Sequence, residues 1–112
     1  RRTAQGPVSR IMDQGPFCMD LLSREVRVNG TCLGLTPSEF GILKSLMTRP
    51  NVIVSREKLL ERVQGYRFEG YNRTIDTHVK NLRKKIAAVL PDVNAIVSVY
   101  GAGYKFSTKA FA

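Results

Sequence analysis

The 112-residue sequence holds two cysteines, one histidine and no tryptophan. Cys18 and Cys32, even joined by the lone His78, fall short of the four ligands a structural zinc site takes. Neither a metal nor a cofactor is expected. Both cysteines lie in apolar, strand-like stretches and read as small, reduced core or sheet residues, which fits a cytoplasmic setting. No apolar run approaches the roughly 20 residues a membrane-spanning helix needs, so no spanning segment is expected, and no membrane is assigned as partner. No secretory signal is visible, and the chain, which starts at Arg1, reads as a fragment or processed form. Catalytic constellations are missing too. His78, the only histidine, reads as a helix-face residue near phosphates or at the core edge rather than a catalytic base, and Asp76 and Glu57 have no obvious carboxylate partner. The run GAG at 101–103 is not followed by a helix, as a dinucleotide-binding loop requires. No catalytic residue is assigned and the chain is not expected to be an enzyme.

Acidic residues are scarce as well. Nine Asp and Glu stand against 18 Lys and Arg, a net charge of +9. That excess favours a polyanionic partner, nucleic acid first and an acidic membrane surface second. A length of 112 residues and a hydrophobic content of 43% suit one small domain with its own core.

Along the chain, residues 1–15 lack sustained periodicity and read as a linker or flexible arm. The domain proper is expected over 16–108, followed by a tail at 109–112. FCMDLL reads as a strand, and VRVNGTCL as a tight hairpin turning at Asn29-Gly30, since both tolerate positive φ. In LTPSEFGILKSLMTRP, Thr36 is an N-cap, Pro37 suits the first helical position and Glu39 completes a capping box. Phe40, Leu43, Leu46 and Met47 make its apolar face, Gly41 suggests close packing, and Pro50 ends the helix. Ser55 caps a second helix whose buried side is Leu59, Leu60 and Val63, with Gly65 closing it. The loop GYRFEGY at 65–71 is unusually aromatic; its rings either fold onto the core or mark a protein-contact surface. The chain ends in a hairpin, AIVSVYGAGYKFS, with Gly101 and Gly103 in the turn.

The third helix, NRTIDTHVKNLRKKI at 72–86, carries the main functional signal. Asn72 is its expected N-cap. Ile75, Val79, Leu82 and Ile86 share one narrow stripe. Arg73, Thr77, Lys80 and Lys84 lie about half a turn away, with Asn81 beside them; Asp76 and Arg83 flank the stripe on one side, His78 and Lys85 on the other. A merely solvated face predicts mixed charge. Residues 73–85 instead contain five basic residues and one acidic one. Two helices joined by a turn or loop, the last basic on its outer face, make a helix-turn-helix variant. Its final hairpin would be the wing, placing Tyr100 and Lys105 near the DNA backbone or minor groove.

The ordered pieces LTPSEFGILKSL, VSREKLLERV, NRTIDTHVKNLRKKI and VYGAGYKF together resemble the effector domain of OmpR/PhoB-type response regulators, over about residues 17–107. The resemblance implies an α+β winged helix-turn-helix: a four-stranded N-terminal antiparallel sheet, three helices and a C-terminal β-hairpin wing. It implies a recognition helix at 73–86 in the major groove and a wing at 97–106. Arg73, Thr74, Thr77, His78, Lys80, Asn81, Arg83, Lys84, Tyr100 and Lys105 are the expected DNA-binding residues. Thr77 and Asn81 are the expected base readers. Tyr66, Arg67, Phe68 and Glu69 form the expected RNA polymerase contact. Double-stranded promoter DNA with direct repeats, bound by a head-to-tail dimer, is the implied partner of a two-component regulator. Many family members place Arg where Tyr100 stands, and Tyr cannot make the same electrostatic contact in the minor groove. A non-specific or architectural nucleic-acid binder and a protein-interaction module using residues 65–71 are the competing readings.

Overall fold

The computed structural model describes residues 10–63 and 75–111, and every structural statement concerns those residues. Four short strands, Ile11–Gln14 (β1), Phe17–Asp20 (β2), Glu25–Val28 (β3) and Thr31–Leu33 (β4), pair antiparallel in chain order. The β3–β4 turn has φ of 52° at Asn29 and 83° at Gly30, as the Asn-Gly signal predicts. Strand alternation turns Phe17, Met19, Val26, Val28 and Leu33 into the core. The other face carries Cys18, Arg27 and Cys32 in one row across β2, β3 and β4. Two strand spacings of about 4.8 Å hold the thiols' backbones too far apart for a disulfide. Both cysteines are free.

Part of the segment read as an arm over 1–15 is a strand. Ile11–Gln14 is β1, in register with β2 from Ile11 opposite Asp20 to Gln14 opposite Phe17. Arg10 fastens its start through a 2.8 Å ion pair with Asp20. Four residues of mixed character show no periodicity of their own; β2 supplies the pairing that makes them a strand. The expected tail also changes character. A 3-10 turn, Thr108–Ala110, brings Phe111 against Phe17 and Phe106, each ring centroid 5.9 Å away. Phe17 and Phe106 meet edge-on at 5.1 Å. Gly15, at φ 58°, gives Phe111 its seat, because a Cβ there would run into the Phe111 ring.

Pro37–Thr48 (α1) begins with the predicted capping box: the Glu39 amide donates to Thr36 Oγ1 at 3.2 Å, and the Thr36 amide donates to Glu39 Oε1 at 3.0 Å. Phe40, Leu43, Leu46 and Met47 are all buried, as is Gly41. Arg56–Val63 (α2) starts at Ser55, whose Oγ accepts the Lys58 amide at 3.1 Å. Leu59 and Val63 are buried, but Leu60 is 49% exposed, against expectation. Leu59 and Val63 are four apart and share a line along the helix, whereas Leu60 lies about 100° round from Leu59. The expected stop at Gly65 and N-cap at Asn72 lie outside the described residues.

Ile75–Ala87 (α3) buries Ile75, Val79, Leu82 and Ile86 against α1 and α2. The hairpin consists of Ile96–Val99 (β5) and Gly103–Phe106 (β6). Val54, just before α2, bridges to Tyr104 through backbone hydrogen bonds of 2.8 and 3.0 Å. Gly103 permits that approach, since a Cβ there would collide with the Val54 carbonyl. Sheet, three helices and hairpin form the α+β winged helix expected from the sequence.

Candidate nucleic-acid interface

Burial of one stripe of α3 determines what its opposite face presents. Thr77, Lys80 and Lys84 are exposed and Asn81 is half-buried, on a continuous strip along the helix. Neither Lys80 nor Lys84 makes an ion pair among the described residues, so both ammonium groups remain available to an external anion. The pocket beside this strip, lined by Thr36, Glu39, Asn81, Lys84, Lys85 and Ala88, is wide open. It is a surface groove between α1 and α3 and not an enclosed binding chamber.

The remaining predicted residues divide sharply. His78 is buried, and its Nδ1 has no hydrogen-bond partner among the described residues. The residue, 7% exposed, offers a duplex little surface in this conformation, in contrast to the outer-face residues that the sequence grouped with it. Arg83 is turned to the hairpin: Nε and Nη2 donate to the Ile96 carbonyl at 3.0 and 2.9 Å, and Nη2 donates to Ser98 Oγ at 2.7 Å. Its guanidinium holds the wing against α3 instead of facing outward. Lys85 is likewise engaged, with Glu39 Oε1 at 2.6 Å and the Gly34 carbonyl at 2.8 Å. Tyr100 stands fully exposed at the hairpin tip. Lys105 is half-buried on β6, opposite Val97. Arg73 and Thr74, with the loop residues Tyr66, Arg67, Phe68 and Glu69, lie outside the described residues.

One cluster went unrecognised in the sequence. Asp76 Oδ1 accepts from Arg56 Nε at 2.7 Å and from the Tyr104 hydroxyl. The guanidinium carbons of Arg56 and Arg83 lie 5.3 and 5.6 Å from the Tyr104 ring centroid. The hydrogen bonds from Tyr104 and then Arg56 hold the Asp76 carboxyl below its usual range. Burial first, and Asp76 second, push the Tyr104 hydroxyl up. The inward position of Tyr104 follows from strand alternation with Phe106. Its pairing with a carboxylate 28 residues earlier has no local signal.

Comparison with known proteins places this geometry among relatives. A family model described as "Transcriptional regulatory protein, C terminal" matches residues 30–106. The chain is 46% identical over 91 residues to the uncharacterized transcriptional regulatory protein YclJ of Bacillus subtilis, covering 80% of this chain and 39% of that protein. It is 40% identical over 108 residues to the transcriptional regulatory protein ResD of Bacillus subtilis, covering 96% of this chain and 45% of that one. It thus spans less than half the length of either. Among solved structures, the DNA binding domain of CpxR from E. coli matches with a TM-score of 0.72 at 30% identity, covering 88% of this chain and 97% of that one. The Klebsiella pneumoniae RstA DNA-binding domain, solved in complex with the RstA box, also matches with a TM-score of 0.72, at 28% identity and coverages of 89% and 99%.

Proposed function

The chain belongs to the family of C-terminal domains of transcriptional regulatory proteins, and from that premise we propose that it is the sequence-specific, double-stranded DNA-binding effector domain of a two-component response regulator. The observation that carries this reading is the outer strip of α3, with Thr77, Lys80, Asn81 and Lys84 on one accessible line and the hairpin fixed beside it. A major groove about 12 Å wide admits one such helix. Lys80 and Lys84 are suited to phosphates, and Thr77 and Asn81 to base edges. Arg73, Thr74, Tyr100 and Lys105 complete the proposed contact set. The relative bound to its RstA box gives this reading a precedent in another protein.

The partner is promoter DNA carrying direct repeats, occupied head to tail by two copies. The site of action is the cytoplasm; among the described residues no helix is long and apolar enough to cross a membrane. Tyr66, Arg67, Phe68 and Glu69 are assigned to an RNA polymerase contact on their sequence and the family resemblance. Replacing Phe68 and Glu69 together is expected to leave operator binding near the parent's level while reducing activated transcription, if the regulator is an activator.

The deciding experiment is selection of bound duplexes from a random pool. Recovery of one shared motif, repeated in direct orientation, is the expected result. Equal recovery of unrelated duplexes would assign the domain to non-specific or architectural binding. Absence of any salt-dependent duplex binding would remove nucleic acid as the partner and leave a protein-interaction module.

A further inference from the structure

A carboxylate is misplaced on a surface meant for phosphates. Asp76 is the one acidic residue in the stretch 73–85, which holds five basic ones. Its side chain is 55% exposed, on the first turn of α3. Direct electrostatics gives it a single effect there, repulsion of an approaching polyanion. Its hydrogen bonds point elsewhere. One oxygen of Asp76 gathers Arg56 from α2 and the Tyr104 hydroxyl from β6. Tyr104 is buried and tied through its own backbone to Val54. Its ring has the Arg56 guanidinium near it, and also that of Arg83, which grips Ile96 and Ser98 on β5. The start of α2, the start of α3 and both strands of the hairpin therefore meet around a single tyrosine, and Asp76 is the acceptor that orients it.

We propose that Asp76, acting through Tyr104, is a positioning residue that sets the wing against the recognition helix, so that this carboxylate raises sequence-specific DNA affinity although its charge opposes DNA. The proposal rests on the DNA-binding reading. It separates two quantities that charge alone moves together. Non-specific binding is governed by net charge near the backbone. Specific binding also requires helix and wing to engage their grooves simultaneously. Removing Asp76 therefore relieves repulsion everywhere and loosens the geometry that only the specific complex needs.

The test uses the duplex selected by the parent protein and a scrambled duplex of equal length, both at fixed salt and well below the thermal transition of each variant. Asp76→Ala is expected to bind the scrambled duplex about as well as the parent or somewhat more tightly, and the selected duplex about tenfold more weakly, a loss of the order that one mismatched base pair produces. Tyr104→Phe keeps the ring and removes only the hydroxyl, so it guards against a simple folding failure. It is expected to lose specific affinity in the same way, and the double variant to lose little more than either single one. Asp76→Asn keeps an acceptor without the charge and is expected to recover most of the specific affinity. Tightening or no change on the selected duplex for Asp76→Ala overturns the proposal, as does full additivity in the double variant. A parent that discriminates among no duplexes overturns the sequence-specific reading and the proposal with it; a discriminating parent with indifferent variants overturns the positioning role alone.

Discussion

At the scale of single residues, the firmest expectations attach to groups with few alternatives. Leu82 is fully buried between α3 and the core. Leu82→Ala removes its apolar contacts and leaves a cavity, so a loss of about 2–5 kcal/mol is expected, read from denaturant midpoints at constant m-value. An unchanged midpoint would contradict the buried stripe. Asp20 makes a different kind of claim. Its carboxylate accepts from Arg10 and from the amides of Leu22 and Ser23. The Arg10 hydrogen bond, followed by those amides, lowers its pKa from 3.8 to about 2. A carboxyl depressed by folding contributes stability above its unfolded pKa and loses it as pH falls through the folded value. The contribution of Asp20 is thus present at pH 5 and disappears between about pH 4 and pH 2. Asp20→Asn should lower the denaturation midpoint at pH 5 and have a much smaller effect at pH 2. Equal effects at both pH values would show that the carboxylate charge is not what holds the β2–β3 turn.

At the scale of elements, the sequence speaks clearly where the signal is local. The capping box of α1 lies within Thr36 to Glu39, and the β3–β4 turn within Asn29-Gly30, so both could be read before any partner was known. The flanks of α3 could not. The helical repeat places His78 and Arg83 on opposite edges of the apolar stripe, and what packs beyond each edge decides its environment. The core closes over His78, and the hairpin captures Arg83. β1 and Phe111 failed to show for the same reason: each is ordered by a partner distant in sequence. For Arg83 this engagement with the hairpin has a measurable consequence. Arg83→Ala is expected to cost about 1–2 kcal/mol through its lost charge-assisted hydrogen bonds to the hairpin. It should leave the salt dependence of duplex binding close to the parent's, because no phosphate contact is removed. A slope reduced by about 1 would restore Arg83 to the backbone contacts its sequence position suggested.

At the scale of the whole molecule, charge is unevenly placed. Residues 10–48, the sheet with α1, carry four basic and four acidic side chains, whereas residues 75–111, α3 with the hairpin, carry six basic and two acidic. A polyanion therefore meets a directional field that favours approach by the helix and wing. Within that field, affinity and preference should be separable. Lys80 and Lys84, which make no ion pair among the described residues, offer charges on flexible stems, which suit phosphates in any sequence. Asn81, between them on the same face, is short and can make paired hydrogen bonds to adenine N6 and N7. Lys80→Ala and Lys84→Ala should each weaken binding to all duplexes and reduce the salt slope by about 1. Asn81→Ala should instead relax discrimination at one or two base pairs, at about 1–3 kcal/mol for the contacted position, with the salt slope unchanged. Full base-preference profiles of the three variants at a single ionic strength distinguish these effects. If Asn81→Ala lowers affinity uniformly and leaves the profile intact, Asn81 is a backbone contact, and sequence is read by Thr77 or by other residues. If either lysine variant alters the profile while keeping the parent's slope, that lysine faces a base, and the division of labour along α3 runs the other way.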